Sequence, residues 1–209
     1  MKLYSYWQSS ASFRVRIALN LKGIKVETVP INLLKAEQRT EAYRKIHPQG
    51  LVPALADGEH VLTQSLAIIE YLEEKYPMPP LLPLAPAERA RVRAIAQGMA
   101  CEVAPLGNLR VRKFVHQHYS APENEWVRHW NELGLAEIET LLTNHPQTGT
   151  FCHGATPTLA DCVLVPQLFV ARRFGCDTST FPTLTRIDAA CMQLPAFIAA
   201  HPSNQPDAT

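Results

Sequence analysis

The sequence predicts an α/β domain over residues 1–80, joined to an all-α domain over residues 86–209. Three observations carry this. Strand and helix signals alternate through the first stretch, prolines crowd positions 77, 79, 80, 83 and 86, and beyond them nearly every apolar pattern repeats at helical spacing. Proline fixes φ and removes a backbone donor, so the proline-rich stretch suits neither a helix interior nor a central strand. It is therefore the domain boundary.

Taken in order, residues 2–6 (KLYSY) read as a short strand rich in aromatic and apolar side chains. Residues 10–22 read as a helix: Ser9, Ser10 and Ser12 offer caps, Val15, Ala18, Leu19 and Leu21 form an apolar stripe, and Gly23 stops it. Residues 26–31, rich in β-branched side chains, form the second strand. A polar helix over about 36–45 and a turn at His47-Pro48-Gln49-Gly50 follow. Residues 51–56 and 60–63 read as a hairpin around Asp57-Gly58. Residues 65–76 read as a helix with Ile68, Ile69 and Leu72 on its apolar face. The order βαβαββα implies a small mixed sheet with helices on both faces.

Past the prolines, helices are expected over 86–119, 122–144, 159–174 and 183–194, with a polar, loosely held tail from about Ser203. Thr158-Leu159-Ala160-Asp161 has the form of a capping box at the start of an apolar helix, a structural rather than a catalytic pair.

Bulk properties narrow the function. A chain of 209 residues with 46% hydrophobic and 19% charged residues folds around a sizeable core. Twenty Lys and Arg against nineteen Asp and Glu leave a net charge of +1, too little for a protein that tracks nucleic-acid phosphates. The start, MKLYSYWQSS, lacks the apolar core of a signal peptide, and no apolar run approaches bilayer length, so a cytoplasmic protein with no membrane partner is expected. The five cysteines form no CxxC and no zinc-like pairing; they read as reduced, mostly buried thiols. Any thiol chemistry then draws its sulfur from a cofactor. His116 and His118, two apart on a helix, do not share a face, so no metal site is expected.

Three places carry chemistry. At the first strand-to-helix turn, Gln8-Ser9-Ser10-Ala11-Ser12 sets hydroxyls beside the free amides and positive dipole end of a helix. Such a place stabilises a thiolate, although the same serines serve equally as caps. Val52-Pro53 puts a proline where a strand ladder needs a donor; a cis bond there would expose the Val52 backbone at the sheet edge to an incoming peptide. Gln64-Ser65 precedes a helix whose N-terminal amides suit a carboxylate, with Ser65 as cap. Together the three suit a small thiol peptide.

The residues of these places resemble the zeta class of glutathione transferases, which includes maleylacetoacetate isomerase and bacterial maleylpyruvate isomerases. The likeness runs through Ser9-Ser10-Ala11-Ser12-Phe13-Arg14-Val15-Arg16-Ile17-Ala18-Leu19, Leu51-Val52-Pro53, Gln64-Ser65-Leu66-Ala67-Ile68-Ile69-Glu70, Thr158-Leu159-Ala160-Asp161 and Gln205-Pro206-Asp207. It implies glutathione transferase architecture, a thioredoxin-like domain followed by an all-helical one, and a homodimer. It further implies that Ser9 stabilises the glutathione thiolate with help from Ser10, that Ala11 and Ser12 belong to the same cofactor-binding turn, and that Val52 pairs with the cysteinyl backbone. Gln64 and Ser65 would hold the γ-glutamyl end, Gln38 the glycyl end, and Asn108 would line the pocket. Ala11 stands where the family often has Cys, Gln8 where its isomerases commonly carry Arg, and Leu109 where maleylpyruvate isomerase-like chains carry Arg. Gln8, Arg110 and Arg173 are then the expected substrate contacts.

The resemblance implies a glutathione-dependent cis–trans isomerase of a small unsaturated dicarboxylic keto acid, acting by thiolate addition, bond rotation and elimination. A transferase or dehalogenase acting on α-halo acids or other electrophiles is the alternative, followed by a glutathione-fold binding module without turnover.

Overall fold

The computed structural model describes residues 1–208. In chain order its first elements are β1 (Lys2–Ser5), α1 (Ser10–Leu21), β2 (Glu27–Pro30), α2 (Glu41–Ile46), β3 (Ala54–Asp57), β4 (His60–Thr63) and α3 (Ser65–Lys75). They are followed by α4 (Pro86–Gln97), α5 (Leu109–Tyr119), α6 (Glu123–Leu142), α7 (Leu159–Arg173), α8 (Pro182–Cys191) and α9 (Pro195–Ala200). The chain divides into two units, one of Met1–Pro80 with the stretch from Gln193 onward, the other of Leu81–Met192.

The sheet of the first unit has the order β2-β1-β3-β4; β1 runs parallel to β2 and antiparallel to β3, and β3 pairs antiparallel with β4. Alternation along β1 sends neighbouring side chains to opposite faces. Ser5 faces α1, where its Oγ accepts from Arg16 Nη1 at 3.2 Å. Tyr4 meets Tyr43 of α2 edge-on at 5.9 Å, and Tyr6 joins Ile31, Tyr43 and Val52 in one apolar cluster. Helices thus cover both faces. Phe13 and Ile17 of α1 and Ile68, Ile69 and Leu72 of α3 are all buried. Where these two helices end, the buried Lys22 ammonium donates to Glu73 Oε2 (2.7 Å), Tyr76 O (2.7 Å) and Pro79 O (3.0 Å), so its three donors are all satisfied.

In the second unit, Val92, Met99, Leu135, Leu142, Leu164 and Ile187 are fully buried. Gly134 of α6 lies against Val103; a Cβ there would stand 2.1 Å from Val103 Cγ2. The capping box at α7 forms as its sequence suggests. Asp161 Oδ2 accepts from Thr158 N (2.7 Å) and Oγ1 (2.8 Å), and Oδ1 accepts from Cys152 N (2.8 Å), so the pair also ties down the preceding loop. Among the described residues no helix is long and apolar enough to cross a membrane.

Four expectations need correction. The helix expected over 86–119 is broken: a π-helical turn, Gly98–Val103, follows α4, and turns through Pro105 and Gly107 lead to Asn108, whose Oδ1 caps α5 by accepting from Arg110 N at 3.1 Å. β3 begins at Ala54, after Pro53, rather than at Leu51. The residues from Gln193 onward belong with the N-terminal unit, not with the helical domain expected over 86–209. There α9 packs on α1, with Asn20 Nδ2 donating to Ala196 O at 2.9 Å and Arg16 Nε to Ala200 O at 3.0 Å. The tail is also held: Gln205 Nε2 donates to Ala199 O and His201 O, and Asp207 Oδ2 accepts from Trp7 N at 3.0 Å.

Candidate functional site

The turn between β1 and α1 is built around Ser9. Its N–H donates to Tyr6 O (3.0 Å), its C=O accepts from Phe13 N (2.9 Å), and its Oγ accepts from Ser12 N (3.2 Å). Ser9 is therefore the N-cap of α1. A hydroxyl that accepts in a cap still has a proton to donate, so capping and thiolate stabilisation are compatible at this atom. No acidic residue lies in the first turn of α1, and the Ser10 and Ala11 N–H groups make no hydrogen bond to other described residues. The positive end of the helix is open to an anion.

Gln8, Ser9, Ser10 and Ala11 are partly exposed. Ser12 differs: its side chain is fully buried and its Oγ has no partner, so it serves the turn through its N–H alone. Ser12 thus belongs to the turn expected to bind the cofactor with its hydroxyl turned into the core. Behind the turn lies Arg16, which burial lowers to about 10 against the opposing charge of Asp207. It stays charged at neutral pH and donates to Tyr6 O (3.4 Å) and Trp7 O (3.0 Å).

The second helix start is α3. Gln64, not Ser65, is its N-cap, with φ 68° and ψ 118° and no side-chain cap. Ser65 is the first helical residue, and its Oγ accepts from Arg14 Nη1 at 3.3 Å, which joins this helix to α1. A left-handed backbone at a non-glycine residue is a cost that functional sites often retain. Here it turns the Gln64 side chain toward Gln49, whose Oε1 accepts from Gln64 Nε2 at 3.0 Å. The first turn of α3 again carries no acid.

Between these helix starts runs the loop 47–53. Tyr43 Oη donates to Leu51 O (2.7 Å), and burial with the neighbouring Tyr4 raises its hydroxyl, keeping it a donor. Gly50 has φ 62°, and a Cβ there would lie 2.8 Å from Gln38 O, so only glycine lets the two backbones approach. The Val52–Pro53 peptide is cis, and Pro53 precedes β3. Val52 lies beyond the end of central strand β3 rather than on an edge strand. Its N–H and C=O make no hydrogen bond to other described residues. Gln38 is buried, with Nε2 3.5 Å from Leu33 O and Oε1 without a partner. The backbone of Gln38 thus packs against Gly50 of this loop, and Gln64 bonds Gln49 of the same loop. The open Ser10 and Ala11 N–H groups, the Val52 backbone and the Ser9 proton fit a small anionic thiol peptide.

In the helical unit, Asn108 caps α5 and the Arg110 side chain is exposed. Arg173 lies over the Phe174 ring at 5.6 Å, and Arg112 over the same ring at 4.9 Å. Arg112 is half-buried and paired with Glu123 Oε2 at 3.1 Å. Burial lowers its guanidinium, Glu123 opposes this, and the nearby Arg173 lowers it further. Two guanidiniums thus lie against one ring, and only that of Arg112 is paired with a carboxylate, Glu123. Nothing in the local pattern announces this, because Phe174, which caps the end of α7, lies far along the chain from Arg112.

Residues 1–74 match the family model described as glutathione S-transferase, N-terminal domain. The chain is 46% identical over 210 residues to the maleylpyruvate isomerase of a Ralstonia species, with 99% of each chain covered. Among solved structures it matches a holo maleylpyruvate isomerase, described as a bacterial zeta-class glutathione S-transferase, with TM-score 0.98, 45% identity and 100% of both chains covered. It also matches the maleylacetoacetate isomerase of Methylobacterium extorquens AM1 with bound malonate and glutathione, at TM-score 0.96, 45% identity and 100% of both chains. The chain belongs to the zeta-class glutathione transferase family, which contains the maleylacetoacetate and maleylpyruvate isomerases.

Proposed function

We propose that the protein is a glutathione-dependent cis–trans isomerase of a small unsaturated dicarboxylic keto acid, of the maleylacetoacetate or maleylpyruvate type. The observation that carries this reading is the Ser9 turn, where a capped helix start retains a hydroxyl proton and free amides with no acid beside them. When bound, glutathione supplies a thiol that adds to the cis double bond and leaves a single bond free to rotate before elimination.

The chain's part is to keep that thiol ionised, hold the peptide and anchor the acid. Ser9 Oγ donates its proton to the sulfur, and Ser10 and Ala11 present main-chain amides to the same charge. Val52 pairs with the cysteinyl backbone, and Gln64 with the α3 amides receives the γ-glutamyl carboxylate. Gln38 Nε2, only loosely engaged at 3.5 Å, is the donor for the glycyl end. Asn108 contributes through its cap on α5, which fixes where Arg110 emerges. Arg110 and Arg173 anchor the substrate carboxylates, with Gln8 as a neutral hydrogen-bonding contact.

A transferase or dehalogenase acting on α-halo acids is the second reading. It is favoured by Gln8, uncharged where the family's isomerases commonly carry Arg, and by Leu109, uncharged where maleylpyruvate isomerase-like chains carry Arg. The reading also includes a cytoplasmic homodimer serving aromatic amino acid catabolism, supported by the free cysteines and by family membership. Sedimentation velocity tests the dimer.

Incubation with maleylpyruvate or maleylacetoacetate, with and without glutathione, tests the function. Loss of the cis isomer only when glutathione is present, and its disappearance in Ser9→Ala, is the expected result. Turnover of α-halo acids alone would replace the isomerase reading with the transferase one.

A further inference from the structure

β1 ends at Ser5, so the residues that carry the chain to Ser9 lie outside the sheet ladder. Trp7 is nonetheless held on both sides. Its N–H donates to Asp207 Oδ2 at 3.0 Å, across 200 positions of sequence, and its C=O accepts from Arg16 Nη2 at 3.0 Å. Arg16 also donates to Tyr6 O, the carbonyl that receives the Ser9 N–H. Asp207 is itself fixed. Ala208 N donates to Gln205 O at 3.1 Å, Gln205 Nε2 donates to Ala199 O and His201 O, and Asn204 Nδ2 donates to Ile198 O at 2.7 Å. α9 is anchored on α1 through Asn20 and Arg16. A carboxylate accepting from a backbone N–H is a strong, directional contact, and this one grips the peptide two residues before Ser9.

We infer that Asp207 is a positioning residue: with Arg16 it fixes the Trp7 backbone and thereby sets where Ser9 Oγ and its proton stand. The inference rests on the proposal that Ser9 stabilises a thiolate. Small displacements of a donor cost much of its effect on a developing charge. The C-terminal tail is thus part of the machinery that sets the thiol's ionisation, although it touches neither thiol nor substrate.

The test is a pH titration of the thiolate absorbance of glutathione bound to the full chain, with kcat and KM measured alongside. Asp207→Ala is expected to raise the bound thiol's pKa by about one unit and to lower kcat at neutral pH about tenfold, with a smaller change in KM. Asn20→Ala loosens α9 on α1 without touching Trp7. It is expected to lower the melting temperature and to move the thiol titration much less than Asp207→Ala does. If Asp207→Ala does not fold, Asp207→Asn, which keeps a neutral acceptor, is expected to give a smaller shift in the same direction. A lowered wild-type thiol pKa that stays unchanged in the Asp207 variant, or that moves equally in Asn20→Ala, overturns the positioning role alone. A wild-type complex whose bound thiol titrates like the free one overturns the Ser9 proposal, and the positioning role with it.

Discussion

Ser9 does two jobs in this account, and two substitutions separate them. As an N-cap its Oγ accepts from Ser12 N at 3.2 Å; as a thiolate donor it uses its own proton. Ser9→Ala removes both, while Ser9→Gly removes the hydroxyl but leaves a residue that starts helices well. The cap loss is about 1 kcal/mol for Ala and a few tenths for Gly. The donor loss is the same for both: a hydrogen bond to a charged group is worth about 1.5–3 kcal/mol, or about one to two pKa units on the thiol. Urea unfolding of the free protein should therefore rank wild type, then Ser9→Gly, then Ser9→Ala. The bound glutathione thiol should titrate equally high in both variants. Since a free thiol has a pKa of about 8.5, both variants lose most of their thiolate at neutral pH. If Ser9→Gly kept the wild-type thiol pKa, the helix amides alone would stabilise the sulfur and the hydroxyl role would be refuted.

Asp161→Ala leaves the buried N–H groups of Cys152 and Thr158 without acceptors, and should cost roughly 2–5 kcal/mol by urea unfolding. Gly134→Ala drives a methyl into Val103; overpacking outweighs the helix propensity gained, for a net loss of about 1–2 kcal/mol, and Val103→Ala in the same chain should recover most of it. Burial depresses His47 below its ordinary 6.5, so the unfolded chain takes up this proton first as pH falls. Its stabilising contribution is complete above 6.5 and fades below it, and His47→Phe should flatten the acid side of the stability profile measured by melting temperature. Arg173→Met should raise KM for a dicarboxylate substrate severalfold while leaving glutathione affinity unchanged, as steady-state kinetics with each varied in turn will report.

Local signals were legible wherever local forces decide. The β1–α1 alternation, the Ser9 cap and the Thr158–Asp161 box follow from propensity and from orphan amides, and each stands where its residues suggest. The break after Gln97 was signalled by Pro105 and Gly107, but the π-helical turn arises from how Gly98–Val103 packs, which no periodicity announces. Gln64 was unreadable for a different reason: glutamine has no preference for positive φ, and only the surrounding loop holds it there. That shifted the cap from Ser65 by one residue. Serines at 9 and 12 look alike in sequence, yet one faces out and the other is buried, because the helix turns Ser12 into the core. The tail misled most: a polar stretch reads as loose, and its anchor on Trp7 lies at the far end of the chain.

The central claim is that the thiol acts catalytically and is returned. It is tested by following the cis substrate and the free thiol together, with glutathione well below the substrate concentration. The account predicts full conversion to the trans isomer with the thiol titre unchanged at the end. Conversion that stops when the glutathione is consumed, or that proceeds equally without it, would contradict the account.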